Sequence, residues 1–244
     1  MTTHAIHIHQ TVGRLTCPTG LLDLAKATIH DLHRSLRAYL QRHPAFGASY
    51  NPIPFISGAP KIIRHLAAAA KRAETGPMAG VAGAIGLYTV RALVRAGAHH
   101  VVFENGGDIT LKINRPVTVG IHTGRNDLPE MGLFLEPREG IFSCCTSSGT
   151  VGHSFSYGYA DAAVVLADDP VLADSVATAL GNRLRRPGTR SLSSALQAAP
   201  WKGIHCMIAI MGDHIGFMGD IPPMVSTTSR PLAGENEEAS RVPA

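Results

Sequence analysis

The chain has 244 residues, 45% of them hydrophobic and only 16% charged, which suits a folded globular protein and excludes a disordered one. That length can bury a sizeable core, as one large domain or two small ones. The net charge of +4 is mild and scattered, with no basic run interleaved with aromatics, so no nucleic-acid partner is expected. No membrane partner is expected either, because no apolar stretch reads as long as a membrane span.

Residues 4–16 alternate loosely and suggest one or two strands. On a strand His7 and His9 would share a face, either as two metal ligands or as a solvated edge. Residues 1–20 lack the charged start and apolar core of a signal peptide, so a cytoplasmic protein is expected. A helix is predicted over 20–42 from the spacing of Leu21, Leu22, Ala25, Ile29, Leu32, Leu36 and Leu40, closed by Pro44 and Gly47. Residues 48–58, with Pro52, Pro54 and Gly58, read as an irregular connection. A second helix is predicted from Pro60 to Glu74 and a third from Met78 to Ala96, ended by Gly97. Gly80, Gly83 and Gly86 form a smooth stripe at the start of the third, open to a ligand or to a tightly packed neighbouring backbone.

Strands are predicted at 99–104, 109–114, 117–122, 141–145, 161–167, 204–211 and 214–218, interrupted by a helix from Pro170 to Asn182. Helices in pairs and strands in runs argue for an α+β fold. One domain is expected over 1–225, followed by a polar tail over 226–244 whose composition predicts disorder. Cys144 and Cys145 are neighbours in a predicted strand and point to opposite faces. With Cys17 and Cys206 they show neither a disulfide framework nor a CxxC pair, so buried thiols are expected.

Three segments carry chemistry. Glu104-Asn105-Gly106-Gly107-Asp108 follows a short apolar run, and its two glycines allow positive φ and close approach of a ligand; a plain turn reads the same way. Thr146-Ser147-Ser148-Gly149-Thr150-Val151-Gly152-His153 offers hydroxyls and exposed amides to phosphate oxygens, and a histidine able to carry a proton near neutral pH; a surface loop has the same composition. Asp174 and Thr178 are four apart on one helix face, a carboxylate and a hydroxyl that suit Mg²⁺; the plainer reading is an acid favouring the helix dipole with Thr178 on a packed face. The stripe at Gly80 is not a G-x-G-x-x-G fingerprint, and the sequence holds no P-loop, GxSxG elbow or HExxH motif.

Four blocks in order carry a resemblance: Gly76 to Ile85, Glu104 to Ile109, Ser147 to Ser154 and Ala173 to Leu180. Over roughly residues 60–185 the chain resembles an uncharacterised bacterial and archaeal family related to the ApbE flavin transferases. That resemblance implies an ApbE-like α+β fold of mostly antiparallel sheets packed with helices. It also implies a small phosphorylated ligand, with FAD or FMN as the flavin forms, bound with Mg²⁺, and a protein acceptor. By the same resemblance Asp174 and Thr178 are metal ligands, while Gly80, Gly83, Asn105, Gly106, Gly107, Thr146, Ser147, Ser148 and Gly149 line the cofactor. His153 or Asp108 is then the base in a transfer or hydrolysis at a pyrophosphate. After His153 the chain departs from the family's Asp-Pro-x-Thr-Gly. A non-catalytic flavin carrier is the alternative reading.

Overall fold

A computed structural model of the chain describes residues 1–125, 127–128, 130–149, 159–186, 188–198 and 202–227. It opens with a hairpin of β1 (Thr2–Ile8) and β2 (Thr11–Cys17), followed by α1 (Leu22–Arg42), the short α2 (Pro44–Ala48) and α3 (Lys61–Ala73). A 3-10 turn, Pro77–Gly80, leads into α4 (Val81–Arg95). Then come β3 (Val101–Asn105), β4 (Asp108–Lys112), β5 (Val117–Ile121), β6 (Met131–Leu135), β7 (Phe142–Ser147) and β8 (Ala162–Ala167). The chain continues through α5 (Pro170–Arg183), α6 (Thr189–Gln197), β9 (Ile204–Met211), β10 (His214–Gly219) and β11 (Met224–Ser226).

Eight strands form one antiparallel sheet in the order β1-β2-β3-β4-β7-β8-β9-β10, and a second sheet runs β11-β6-β5. Strand alternation divides the apolar residues between two cores. On one face of the large sheet, Leu15, Val101, Phe103, Cys145, Val165 and Met207 lie in the clusters that also hold the buried faces of α1, α3, α4, α5 and α6. On the other, Leu111, Phe142, Cys144, Val164, Leu166 and Ile208 pack with Val119, Ile121, Leu133 and Leu135 of the small sheet. The molecule is therefore a stack of helices, a large sheet and a small sheet, and its α+β class with antiparallel sheets is the one expected. Cys144 and Cys145 do fall on opposite faces, and all four cysteines are free and buried.

Two expectations need correction. The run Pro77–Arg95 spans 19 residues at a mean hydropathy of 1.4, long and apolar enough to cross a bilayer. It is instead the central core helix, packed against α1, α5, β3 and β4, which is why both its faces are apolar. His7 and His9 do not share a strand face, because β1 ends at Ile8 and His9 begins the hairpin turn with φ 54.

The structure adds four elements to those predicted, the first being the short α2 where Pro44 and Gly47 were expected only to close α1. β6 (MGLFL) lacks alternation because four of its five residues are buried. α6 is rich in serine and buries only Leu192, Ala195 and Leu196. β11 pairs Ser226 with Met131 and so draws the first residue of the expected tail into the small sheet. The rest of that tail from residue 228 lies outside the described residues.

Candidate functional site

The turn between β3 and β4 has two residues, with Asn105 opposite Asp108. Gly106 takes φ 68, which admits glycine at little cost. Its amide donates to Val12 O at 3.1 Å, so the turn is braced by β2. Asn105 is buried and its Nδ2 donates to Ala82 O at 3.5 Å, tying the strand end to the start of α4.

Register then brings the acids together. Asp108 lies opposite Cys145 on β7, and both face the helices. On that side α5 lies over β7 and β8. Asp169 caps α5, its carboxylate accepting from the amides of Val171 at 3.0 Å and Leu172 at 3.4 Å, with His65 Nε2 at 3.0 Å from its other oxygen. One turn further on, Asp174 is buried and accepts from the Gly83 amide at 2.8 Å. The glycine stripe makes that bond attainable. A Cβ at Gly83 would stand 2.1 Å from Pro170 O, and one at Gly80 would stand 2.8 Å from Val171 O. The smooth face of the 3-10 turn and α4 is thus filled by the backbone of α5. Of the two sequence readings, close packing is what the geometry displays at Gly80 and Gly83.

Asp108 and Asp174 perturb one another. Burial pushes the Asp108 carboxyl up to about 7, while a hydrogen bond with Cys145 and the nearby Thr146 amide oppose that rise. Burial also raises Asp174 well above the carboxylate range, and the charge of Asp108 raises it further, against the amides of Gly83 and Ala82. Asp108 Oδ1 is shut off from solvent with no hydrogen-bond partner among the described residues, and the same holds for Thr110 Oγ1, two residues along the strand. The Cys145 thiol, 3.8 Å from Pro170 O, is raised first by burial and then by both acids.

Two carboxylates near enough for the charge of Asp108 to act on Asp174, one of them with an unused oxygen, have the chemistry to take a divalent cation. Among the described residues no group of three or more His, Cys, Asp or Glu side chains is placed to hold one. Mg²⁺ needs only one or two carboxylates, however, and completes its shell with water and phosphate oxygens. Thr178 is half-buried one turn beyond Asp174.

The remaining expected residues extend from β7. Ser147 is nearly buried and, like Cys145, faces the helices; Thr146 alternates to the opposite side. Ser148 is half-buried, and the exposed Gly149 donates its amide to Ala160 O at 2.9 Å. His153 lies outside the described residues, as do Thr150 to Gly158. The structure thus gathers Asn105, Asp108, Gly83 and Asp174 into one cluster, with Gly106 and Gly107 at its rim. Sequence reasoning missed Cys145 and Thr110 as members. Alternation from Asp108 points to Thr110, whereas Cys145 is reached only through the β4–β7 register.

Comparisons with known proteins agree with this architecture. The model of the family described as "AbpE bacteria" matches residues 15–199. A UPF0280 protein from Methanosarcina barkeri is 40% identical over 204 residues, covering 82% of this chain and 79% of the relative. Another, from Methanocella arvoryzae, is 41% identical over 201 residues, covering 81% and 80%. Among solved structures, a mutant of the flavin transferase ApbE from Vibrio cholerae superposes with a TM-score of 0.56 at 14% identity, covering 89% of this chain and 97% of that one. The apo flavinyl transferase ApbE from Pseudomonas stutzeri gives 0.55 at 14% identity, covering 89% and 93%. The fold is thus ApbE-like, and the chain belongs to the "AbpE bacteria" family and is a relative of the UPF0280 proteins.

Proposed function

We propose that the chain binds a flavin nucleotide, or a similar phosphorylated ligand, with Mg²⁺ at the cluster between the Gly106-Gly107 turn and α5. The observation that carries this reading is the pair of buried Asp174 and half-buried Asp108, whose Oδ1 is shut off from solvent and unpartnered among the described residues, in a chain with the ApbE fold. Asp174 and Thr178 would hold the cation. Bound there, Mg²⁺ neutralises phosphate charge and polarises phosphorus. The Gly83 amide keeps Asp174 oriented. Asn105 fixes the strand end relative to α4, and the side-chain-free turn lets a ligand reach the main chain. Ser147, Ser148 and Gly149 would line the phosphates.

The reaction is transfer or hydrolysis at a pyrophosphate, with Asp108 taking the proton of the attacking group. A protein acceptor and a cytoplasmic location belong to the same proposal. Isothermal titration with FAD, FMN, ATP and ADP, with and without Mg²⁺, tests it. Mg²⁺-dependent binding that Asp174→Ala abolishes is expected, and binding by none of the four would sink the proposal. Release of AMP from FAD separates an enzyme from a carrier that holds the flavin and hands it on.

A further inference from the structure

We propose a second site in the molecule, a recess that binds a phosphate-class oxyanion between the tip of the β1–β2 hairpin and α1. It measures about 510 Å³ and is lined by His9, His30, Arg34, Arg37, Ala38 and Gln41. No acidic side chain is among them. His30, Arg34, Arg37 and Gln41 recur every three or four residues and form one stripe of α1. The hairpin lays His9 over that stripe, its ring 5.5 Å from His30 and 5.0 Å from His33, centroid to centroid. His33 sits behind the recess, buried, with Nε2 2.8 Å from Thr11 Oγ1, which clamps hairpin and helix together.

Donors dominate this recess. Arg37 Nη2 meets His9 Nδ1 at 3.3 Å. Guanidinium has no acceptor, so Nδ1 must accept, and the ring proton of neutral His9 resides on Nε2. His9 therefore offers an N–H without needing a positive charge. Arg34 pairs with Asp31, an exposed contact within the helix that leaves the rest of its fork unspent. Like-charged side chains three and four apart on a helix repel, which favours an anion among them. The hairpin turn asks for positive φ at its first position, where glycine sits most cheaply; histidine stands there instead and gains a ring over α1. Arginine forks with imidazole donors match the oxygens of phosphate.

The recess is distinct from the carboxylate cluster but opens at the same end of the sheet. Gly13 is opposite Asn105, so the hairpin tip extends beyond the Gly106-Gly107 turn. The anion is either free phosphate or pyrophosphate, or the phosphate ester of a larger molecule.

Isothermal titration of the full chain with sodium phosphate, sodium pyrophosphate and AMP, at low salt and without Mg²⁺, tests the site. Arg37→Gln and His9→Asn should each weaken binding by about tenfold, the scale of a lost charge-assisted hydrogen bond. Arg95→Gln, an exposed change of equal charge at the far end of α4, should leave binding unchanged. Phosphate or pyrophosphate bound without AMP assigns the site to a free oxyanion; AMP bound as well assigns it to a phosphate ester. Each supports the proposal if Arg37 is required. Binding of none of the three, or equal weakening by Arg95→Gln, overturns it. Arg37 is exposed, so its loss does not put folding at stake.

Discussion

The carboxylate cluster and the basic recess lie at the same end of one sheet, yet they are built in opposite ways. The first is acidic, buried and assembled from β4, β7, α4 and α5, whose residues are far apart in sequence. The second is basic, open and made from one hairpin and the helix that follows it. Burial makes the difference. Asp108 and Asp174 pay for their position in raised proton affinity, which a cation can relieve. The arginines of α1 stay hydrated and gain only when an anion arrives. A ligand or cation taken up at the acid pair would therefore couple binding to folding, whereas one at the exposed basic stripe would not.

That contrast is broken most severely by Gly83→Ala. The added methyl would meet Pro170 O at 2.1 Å and push α4 from α5, and with it the amide that holds Asp174. A loss of about 3 kcal/mol is expected from such overpacking, read as a lower denaturant midpoint. Oxyanion binding at the recess should survive wherever the variant remains folded. Loss of both sites together would show that they are one unit.

The next effect is a dependence on pH. The Asp108 carboxyl stands at about 7 in the fold against 3.8 in its ordinary state. A raised acid contributes stability that is present below 3.8 and lost as pH rises through about 7, so the ion-free protein should melt at progressively lower temperature over that window. Mg²⁺ should cancel the trend, and Asp174→Asn should weaken both the trend and the response to Mg²⁺. Melting curves at pH 5.5 and pH 8, each with and without MgCl₂, measure this; a melting temperature that rises with pH in the absence of Mg²⁺ contradicts it.

The smallest effects compare the two turns. Gly106→Ala has open space around its new methyl but must keep φ 68, which costs about 1 kcal/mol. His9→Gly relieves the same strain at φ 54 and should change stability by only about 0.5 kcal/mol, since glycine's chain entropy offsets the gain. Oxyanion affinity should nevertheless fall. Unchanged affinity in His9→Gly would make the histidine merely a turn residue.

Much of the fold was legible from residue spacing. The 3.6-residue period of Leu21 to Leu40 marks α1, and Pro170 marks the start of α5. β6 and α6 were not legible, because one is buried too evenly to alternate and the other is nearly all polar. At the site, Asp108, Gly83 and Asp174 stood out individually through their motifs. That the Gly83 amide binds Asp174, and that Cys145 and Thr110 join the cluster, depends on strand register and helix crossing. The basic recess was less legible still. His9 was grouped with His7 on a strand, and its partners on α1 carry no motif.

The sequence by itself determined the α+β class, the principal helices, the opposed faces of Cys144 and Cys145, and the family to which the four blocks belong. Each of these rests on local periodicity or on residues contiguous in the chain. Only the tertiary structure decided that the glycine stripe is filled by α5, that two distant aspartates share one buried space, and that a hairpin folds His9 onto Arg37. Such contacts depend on long-range register and packing, where desolvation and close approach act between groups that the chain itself keeps apart.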